Sequence, residues 1–238
     1  MNKVITFVLV LLTGSAVQAE TVLNSGADRV NLLELYTSEG CSSCPPADNF
    51  LRSLRSHPGL FREFVPVAFH VDYWDDLGWP DRFAEAAYSS RQRNHKREGN
   101  IASVYTPGFV YAGQEWRGFF RRQSLPELDT ERPGNLRLSL SGDTARLDFE
   151  APVELAAHIA VLGTATTEVR RGENRGRTLQ HDFVVMSFET TILKDGIAQI
   201  DLNVPPEANT VVGWLTAPGS QVPLQVVGGP IPGQHRLR

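Results

Sequence analysis

Cys41 and Cys44 are the two cysteines of a 238-residue chain, and they stand two residues apart in the stretch "SEGCSSCPPAD". Three chemistries use sulfurs at that spacing. As a structural staple, a disulfide closing so short a loop would remove only about 2 kcal/mol of unfolded-chain entropy in a loop-closure model. A chain of this length has a large enough core to do without it. As metal ligands, two thiolates are half of a tetrahedral zinc site, and no second cysteine pair completes it. His70 and His95 are available but lie in no His-x-x-x-His spacing, and Met186, the single methionine after Met1, is far away in sequence for a copper site. As a redox dithiol, the pair asks for no ligands, but it must follow a strand and open a helix, whose first-turn amides stabilise a thiolate.

The flanking residues supply that placement. "NLLELYT" before the pair is a buried-strand candidate, and "PPADNFLRSLRSHPG" after it puts Phe50, Leu51 and Leu54 at helical spacing. Proline has no N–H, so Pro45 and Pro46 are tolerated only in a first turn, which sets the helix start at Ser43 or Cys44. Cys41 is then expected on an exposed loop as the attacking thiol, with Cys44 in a buried first turn as the resolving thiol. The dithiol is itself the electron carrier, so no bound cofactor and no metal is required.

The elements further along divide into two patterns. Through residue 123 strand and helix signals alternate: "FVPVAFHVDYW" is a second strand, "PDRFAEAAYSSRQRNHKRE" a helix opening at Pro80 and Asp81, and "PGFVYAGQEWRGFF" a hairpin turning at residues 112–114. From about residue 132, "NLRLSLSGDTARLDFE", "LAAHIAVLG", "DFVVMSFET", "GIAQIDLNV", "NTVVGWLTA" and "VPLQVVGG" read as short strands bounded by Gly, Pro, Asn or Asp, the pattern of a sandwich. The expectation is an α/β N-terminal domain over residues 20–130 and an all-β, sandwich-like C-terminal domain over 131–238, joined by "DTERPGN" and closed by a loose tail.

Two further stretches carry chemistry. "HVDYWDDLGW" gathers His70, Asp72, Trp74 and other polar and aromatic residues at a strand end, where α/β sheets place ligand-binding loops. It reads either as a rigid loop of caps and core cover, or as a groove in which Trp74 meets a substrate while His70 or Asp72 tunes protons. "RRGENRGRTLQHD" sets Arg171, Glu173, Arg175 and Arg177 between two β runs. It reads as an anion cradle, a docking segment, or a solvated tip at Asn174-Arg175-Gly176.

About 60 residues after the cysteines, Thr106-Pro107 precedes an apolar strand and a glycine turn. In this the sequence resembles the thioredoxin superfamily, which implies a cis-proline at Pro107 and a substrate-facing Thr106. The buried acid of many thioredoxins has no counterpart in phase; Glu34, seven residues before Cys41, is the nearest candidate. A longer resemblance runs through "ELYTSEGCSSCPPAD", "FHVDYWDDLGWPDRFA", "YTP" and "RGENRGRTLQHDFVV". These look like the exported bacterial family catalogued as domain of unknown function 1223, described as thioredoxin-like. The resemblance implies a thioredoxin-like fold in the first domain, a Cys41–Cys44 disulfide and an exported location.

The N-terminus agrees on compartment. Lys3, an apolar run of about nine residues and the small residues Val17 and Ala19 make a signal peptide cut after Ala19. A spanning helix needs roughly 20 apolar residues, so no membrane anchor is expected. No cysteine follows the cut to carry a lipid. The location expected is periplasmic or secreted, where disulfides persist. With 23 Lys+Arg against 27 Asp+Glu and no basic stripe, nucleic acid is not an expected partner. The partners expected are a protein or small-molecule thiol or disulfide and a redox partner that recharges the pair. A non-catalytic secreted binding module and a copper or zinc carrier are the alternatives.

Overall fold

The computed structural model describes residues 20–126 and 130–232. The expected signal segment with its cleavage position, part of the expected linker and most of the expected tail lie outside the described residues. The described residues are mainly β, with few helices and two sheets.

Strand β1 (Thr21–Asn24) is followed by β2 (Asn31–Thr37), β3 (Phe64–His70), β4 (Gly108–Tyr111) and β5 (Gln114–Glu115). Every residue of β2 and β3 is buried, and the two run parallel. Strands covered on both faces are near-continuously apolar, which is why "NLLELYT" and "FVPVAFH" lack alternation. Helix α1 (Pro45–Ser53) follows β2, with Cys44 at its N-cap and prolines in its first turn. Its start agrees with the position the prolines set. The 112–114 turn also agrees: Ala112 and Gly113 take φ of 50° and 80° between β4 and β5.

Helix α2 (Ala86–Arg97) begins later than the Pro80–Asp81 start expected. Asp81 does not open the helix. Its carboxylate is used in the interior, where it accepts from the Glu39 and Phe83 amides and meets His70.

The second half forms β6 (Arg137–Ser141), β7 (Thr144–Asp148), β8 (Leu155–Glu168), β9 (Thr178–Leu193), β10 (Ile197–Asp201), β11 (Ala208–Thr216) and β12 (Pro223–Pro230). These are the strands expected there, although β8 and β9 are far longer than the apolar runs that signalled them. The sheets are β1-β6-β7-β10 and β12-β11-β8-β9-β3-β2-β4-β5. The larger sheet crosses the expected boundary near residue 130 through a parallel bridge, Ala68 to Val184. That boundary is a change of pattern along the chain and not a break in the sheet. The smaller sheet packs on the β8, β11 and β12 end of the larger one around Leu138, Leu147, Ile159, Val161 and Val211. It borrows β1, too short for its alternation to signal a strand, from the other half.

Gln225 on β12 seals the two halves. Wholly buried, it accepts from the Val30 amide and donates to the carbonyls of Asp28 and Gly134. Removing it strands the buried Val30 amide and frees two part-buried carbonyls, at about 1–3 kcal/mol for a buried group left unsatisfied. Gln225→Ala is expected to cost about 2–4 kcal/mol, read as a lower midpoint in urea denaturation.

Candidate functional site

Cys41 and Cys44 are disulfide-bonded, with Cα atoms 5.5 Å apart, at the junction of β2 and α1. Helix geometry dictates the local path. The Cys44 amide donates to the Cys41 carbonyl, and the Ala47 and Asp48 amides donate to that of Cys44. Cys41 is not on an exposed loop as expected: both cysteines have 0% exposure.

Two segments distant in sequence pack against the Cys41 loop. Trp74, in the 3-10 turn Asp72–Leu77, leans on the loop so closely that a Cβ at Gly40 would stand 3.1 Å from its Cβ. The Trp74 indole N–H donates to Thr106 Oγ1 at 2.8 Å, tying that loop to the Thr106–Pro107 turn, whose peptide is cis. The second cover is the tip of the β8–β9 hairpin. Asn174, fully buried, donates through Nδ2 to the carbonyls of Glu39 (2.8 Å) and Cys41 (2.9 Å). Glu173 Oε2 accepts from the Ser42 amide at 3.1 Å. Of the readings open for this segment, docking is what the structure displays.

Beside the disulfide lies a buried set of ionisable groups. His70 Nδ1 meets Asp81 Oδ2 at 2.7 Å, and the rings of His70 and His181 are 5.0 Å apart. His181 Nε2 is 3.2 Å from Glu39 Oε1, and its Nδ1 is 3.9 Å from Asp48 Oδ2. Trp79 donates to Glu39 and Thr37 to Asp48. Glu39 is two residues before Cys41 and Asp48 four after Cys44, so the network flanks the pair on both sides.

A family model described as protein of unknown function (DUF1223) matches residues 32–214. The chain belongs to this family. No curated protein matches the sequence. Among solved structures, the crystal structure of protein AGR_C_4864 from Agrobacterium tumefaciens aligns with a TM-score of 0.59 at 23% identity, covering 87% of this chain and 96% of that one. HBP35 of Porphyromonas gingivalis aligns with a TM-score of 0.50 at 10% identity, over 90% of this chain and 78% of that one. At these identities the likeness is one of fold.

In this DUF1223 chain the residues singled out by sequence separate into three places. Trp74 stands on the Cys41 loop and is bonded to Thr106, which precedes Pro107. His70 joins the buried network. Glu34 and Asp72 are engaged elsewhere. Glu34 takes Arg91 at 2.7 Å, with His95 and the Tyr36 hydroxyl, in the interior. Burial would raise its pKa, but Arg91 and His95 hold it far below the usual carboxylate range. Asp72 is bonded to Ser89 of α2. His70 and His95, the histidines weighed for a metal, are thus committed to carboxylates, and among the described residues no three His, Cys, Asp or Glu are arranged to hold a metal ion. The sequence reading missed Glu39, Asp48, Asp81 and His181, which carry no motif and meet only through the fold. Glu173 and Asn174 were visible within an unusual segment, but not their target.

The network has a pH signature. Burial would lower the His70 pKa, but Asp81, with Asp48 and Glu39, overrides that and raises it above its ordinary 6.5. Burial would raise that of Asp81, but His70 and the bonded amides bring it from 3.8 to about 2. The raised histidine stabilises the fold fully below 6.5, and this is lost as pH rises through its folded value. The depressed carboxylate stabilises it above 3.8, and this is lost as pH falls toward about 2, at roughly 2 kcal/mol. Asp81→Asn is expected to remove the alkaline decline and flatten part of the acid one, measured by urea midpoints across pH.

Proposed function

We propose that this protein is an exported thiol–disulfide oxidoreductase whose N-terminal half is a thioredoxin-like unit. The observation that carries the reading is a Cys41–Cys44 disulfide at a strand-to-helix junction, linked through Trp74 to the Thr106–Pro107 turn. Pro45 and Pro46 carry no N–H, so what favours a thiolate at this junction is the positive end of the α1 dipole. The proposed compartment is the periplasm or the exterior, reached by the signal segment.

The exchange balances within the pair and its partner. A thiolate of a dithiol partner attacks Cys41 Sγ, the S–S bond breaks, and Cys44 leaves as a thiolate that takes up a proton. The partner's second thiol then attacks the mixed disulfide and frees Cys41. The partner is oxidised by two electrons, and the pair is reduced. Run in reverse, Cys41 attacks a substrate disulfide and Cys44 resolves it. Thr106 and Trp74 border the approach. Glu39, His70 and Asp48 lie where a proton would be supplied or withdrawn. No further cofactor enters the step.

Full burial of both sulfurs favours a second reading, an exported binding module with a locked disulfide. The reduction potential separates the two. Equilibration in thiol/disulfide buffers, with alkylated cysteines counted by mass, is expected to place the pair at about −270 to −120 mV. A value below about −300 mV would favour the locked staple. Cys41→Ser is expected to abolish turnover, and Cys44→Ser to accumulate a mixed disulfide with substrate, visible as an added mass that dithiothreitol removes.

A further inference from the structure

A redox pair must be reached, yet Cys41 and Cys44 are wholly covered. The cover is specific. One part of it, Trp74 being another, is a loop of the opposite half of the chain, residues 169–177, bonded to the backbone of Glu39, Cys41 and Ser42 and carried out on two strands of 14 and 16 residues. The loop has its own frame. The Val169 amide donates to the Arg177 carbonyl, Gly176 to Val169 and Arg177 to Asn174, and the Arg177 guanidinium donates to Asn174 Oδ1. Gly172 and Gly176 take φ of 74° and 82°, so the turn is preset before it docks. Its hydrogen bonds to the Cys41 loop come from two residues: Asn174 donates to two carbonyls, and Glu173 accepts from Ser42. Packing adds Gly172 on Trp79, where a Cβ would stand 3.1 Å from the Trp79 Cβ. A self-braced loop held by few bonds can lift as a unit without unfolding its strands.

We propose that the β8–β9 tip is a latch over the disulfide and that Asn174 is the positioning residue that keeps it shut. It works through the carbonyls of Glu39 and Cys41, on either side of the loop that presents the sulfur. Glu173 adds a charged acceptor on the Ser42 amide, just after the attacked residue. While the tip is seated, the pair exchanges with no thiol, and the opening frequency sets the rate. Opening frees one amide donor and two carbonyl acceptors, which water or a partner then satisfies. The latch rests on the redox reading of the pair, but its test is kinetic and separable from it.

The test is the rate at which dithiothreitol reduces the disulfide in the full chain without denaturant and in low urea. Dithiothreitol attacks, and leaves as its own cyclic disulfide, so the count of alkylated cysteines rises by two per event. Asn174→Ala and the shape-preserving Asn174→Asp, which keeps the acceptor for Arg177 and loses both donors, are expected to react about tenfold faster. Glu173→Gln, at an exposed position that does not endanger folding, is expected to gain about threefold. In all three the rate should be nearly independent of low urea, as local opening exposes little surface. Wild-type rates in Glu173→Gln together with either Asn174 variant would overturn the latch, as would a wild-type rate that climbs with urea in step with global unfolding. If the Asn174 variants do not fold, Glu173→Gln and the urea dependence of the wild type decide alone. A potential outside the exchange range would remove the redox reading while leaving these rates to report on the tip. Unchanged rates with a potential inside that range would remove only the latch.

Discussion

Asn174 gives both of its amide hydrogens to the backbone of the Cys41 loop, and the arrangement of the site turns on that contact. A side-chain amide buried at 0% exposure must find partners or leave polar atoms stranded. It finds them on a segment more than 130 residues earlier in the chain. To reach it, β8 and β9 must run well past the sandwich that anchors them. Their length, the parallel bridge to β3 and the continuity of the eight-stranded sheet all serve to bring that tip to the β2–α1 junction.

Charge is buried beside that junction on an unusual scale. Glu39, Asp48, His70, Asp81 and His181 are all shielded from solvent, drawn from two loops, a helix and two strands. Buried ions are retained only when they are paired and bonded, and here His70 and Asp81 form the closest pair. Glu39 Oε1, His70 Nε2 and both ring nitrogens of His181 make no hydrogen bond of good geometry, although His181 stands within ion-pair range of Glu39. Such a network is sensitive to any proton or charge that arrives nearby, because the low dielectric that makes its pairing strong makes any mismatch costly. The separate group of Glu34, Arg91, His95 and Tyr36 is more completely satisfied. It braces α2 against β2, which places it in the support of the fold.

The two solved structures of similar shape share the architecture at low identity. A continuous sheet with a small second sheet on one end is therefore an arrangement that many side-chain sets can build. Function has to be argued from the residues that stand at the disulfide, since fold alone hosts many activities.

Much of this was present in the chain as a string. Pro45 and Pro46 determined where α1 begins, because proline lacks the N–H that a helix interior needs. Apolar runs marked β2 and β3 as strands, the first of them as buried, and short strands bounded by Gly, Pro, Asn or Asp marked the second half as β. The turn at residues 112–114 was equally legible, whereas the pairing of Cys41 with Cys44 was what the family resemblance implied. Where a residue acts depends instead on what meets it from afar, and only the tertiary structure decided that. Asp81 read as a helix start and became the partner of His70. Cys41 read as exposed and is buried, with Trp74 on its loop and Asn174 from the other half bonded to its carbonyl. Glu34, the nearest candidate for a buried acid though out of phase, pairs with Arg91, and Asp72, one of two candidates for tuning protons, is bonded to Ser89. Local propensity depends on a few neighbouring residues, whereas burial, charge pairing and access depend on surfaces brought together across the whole sheet, and no short stretch encodes those.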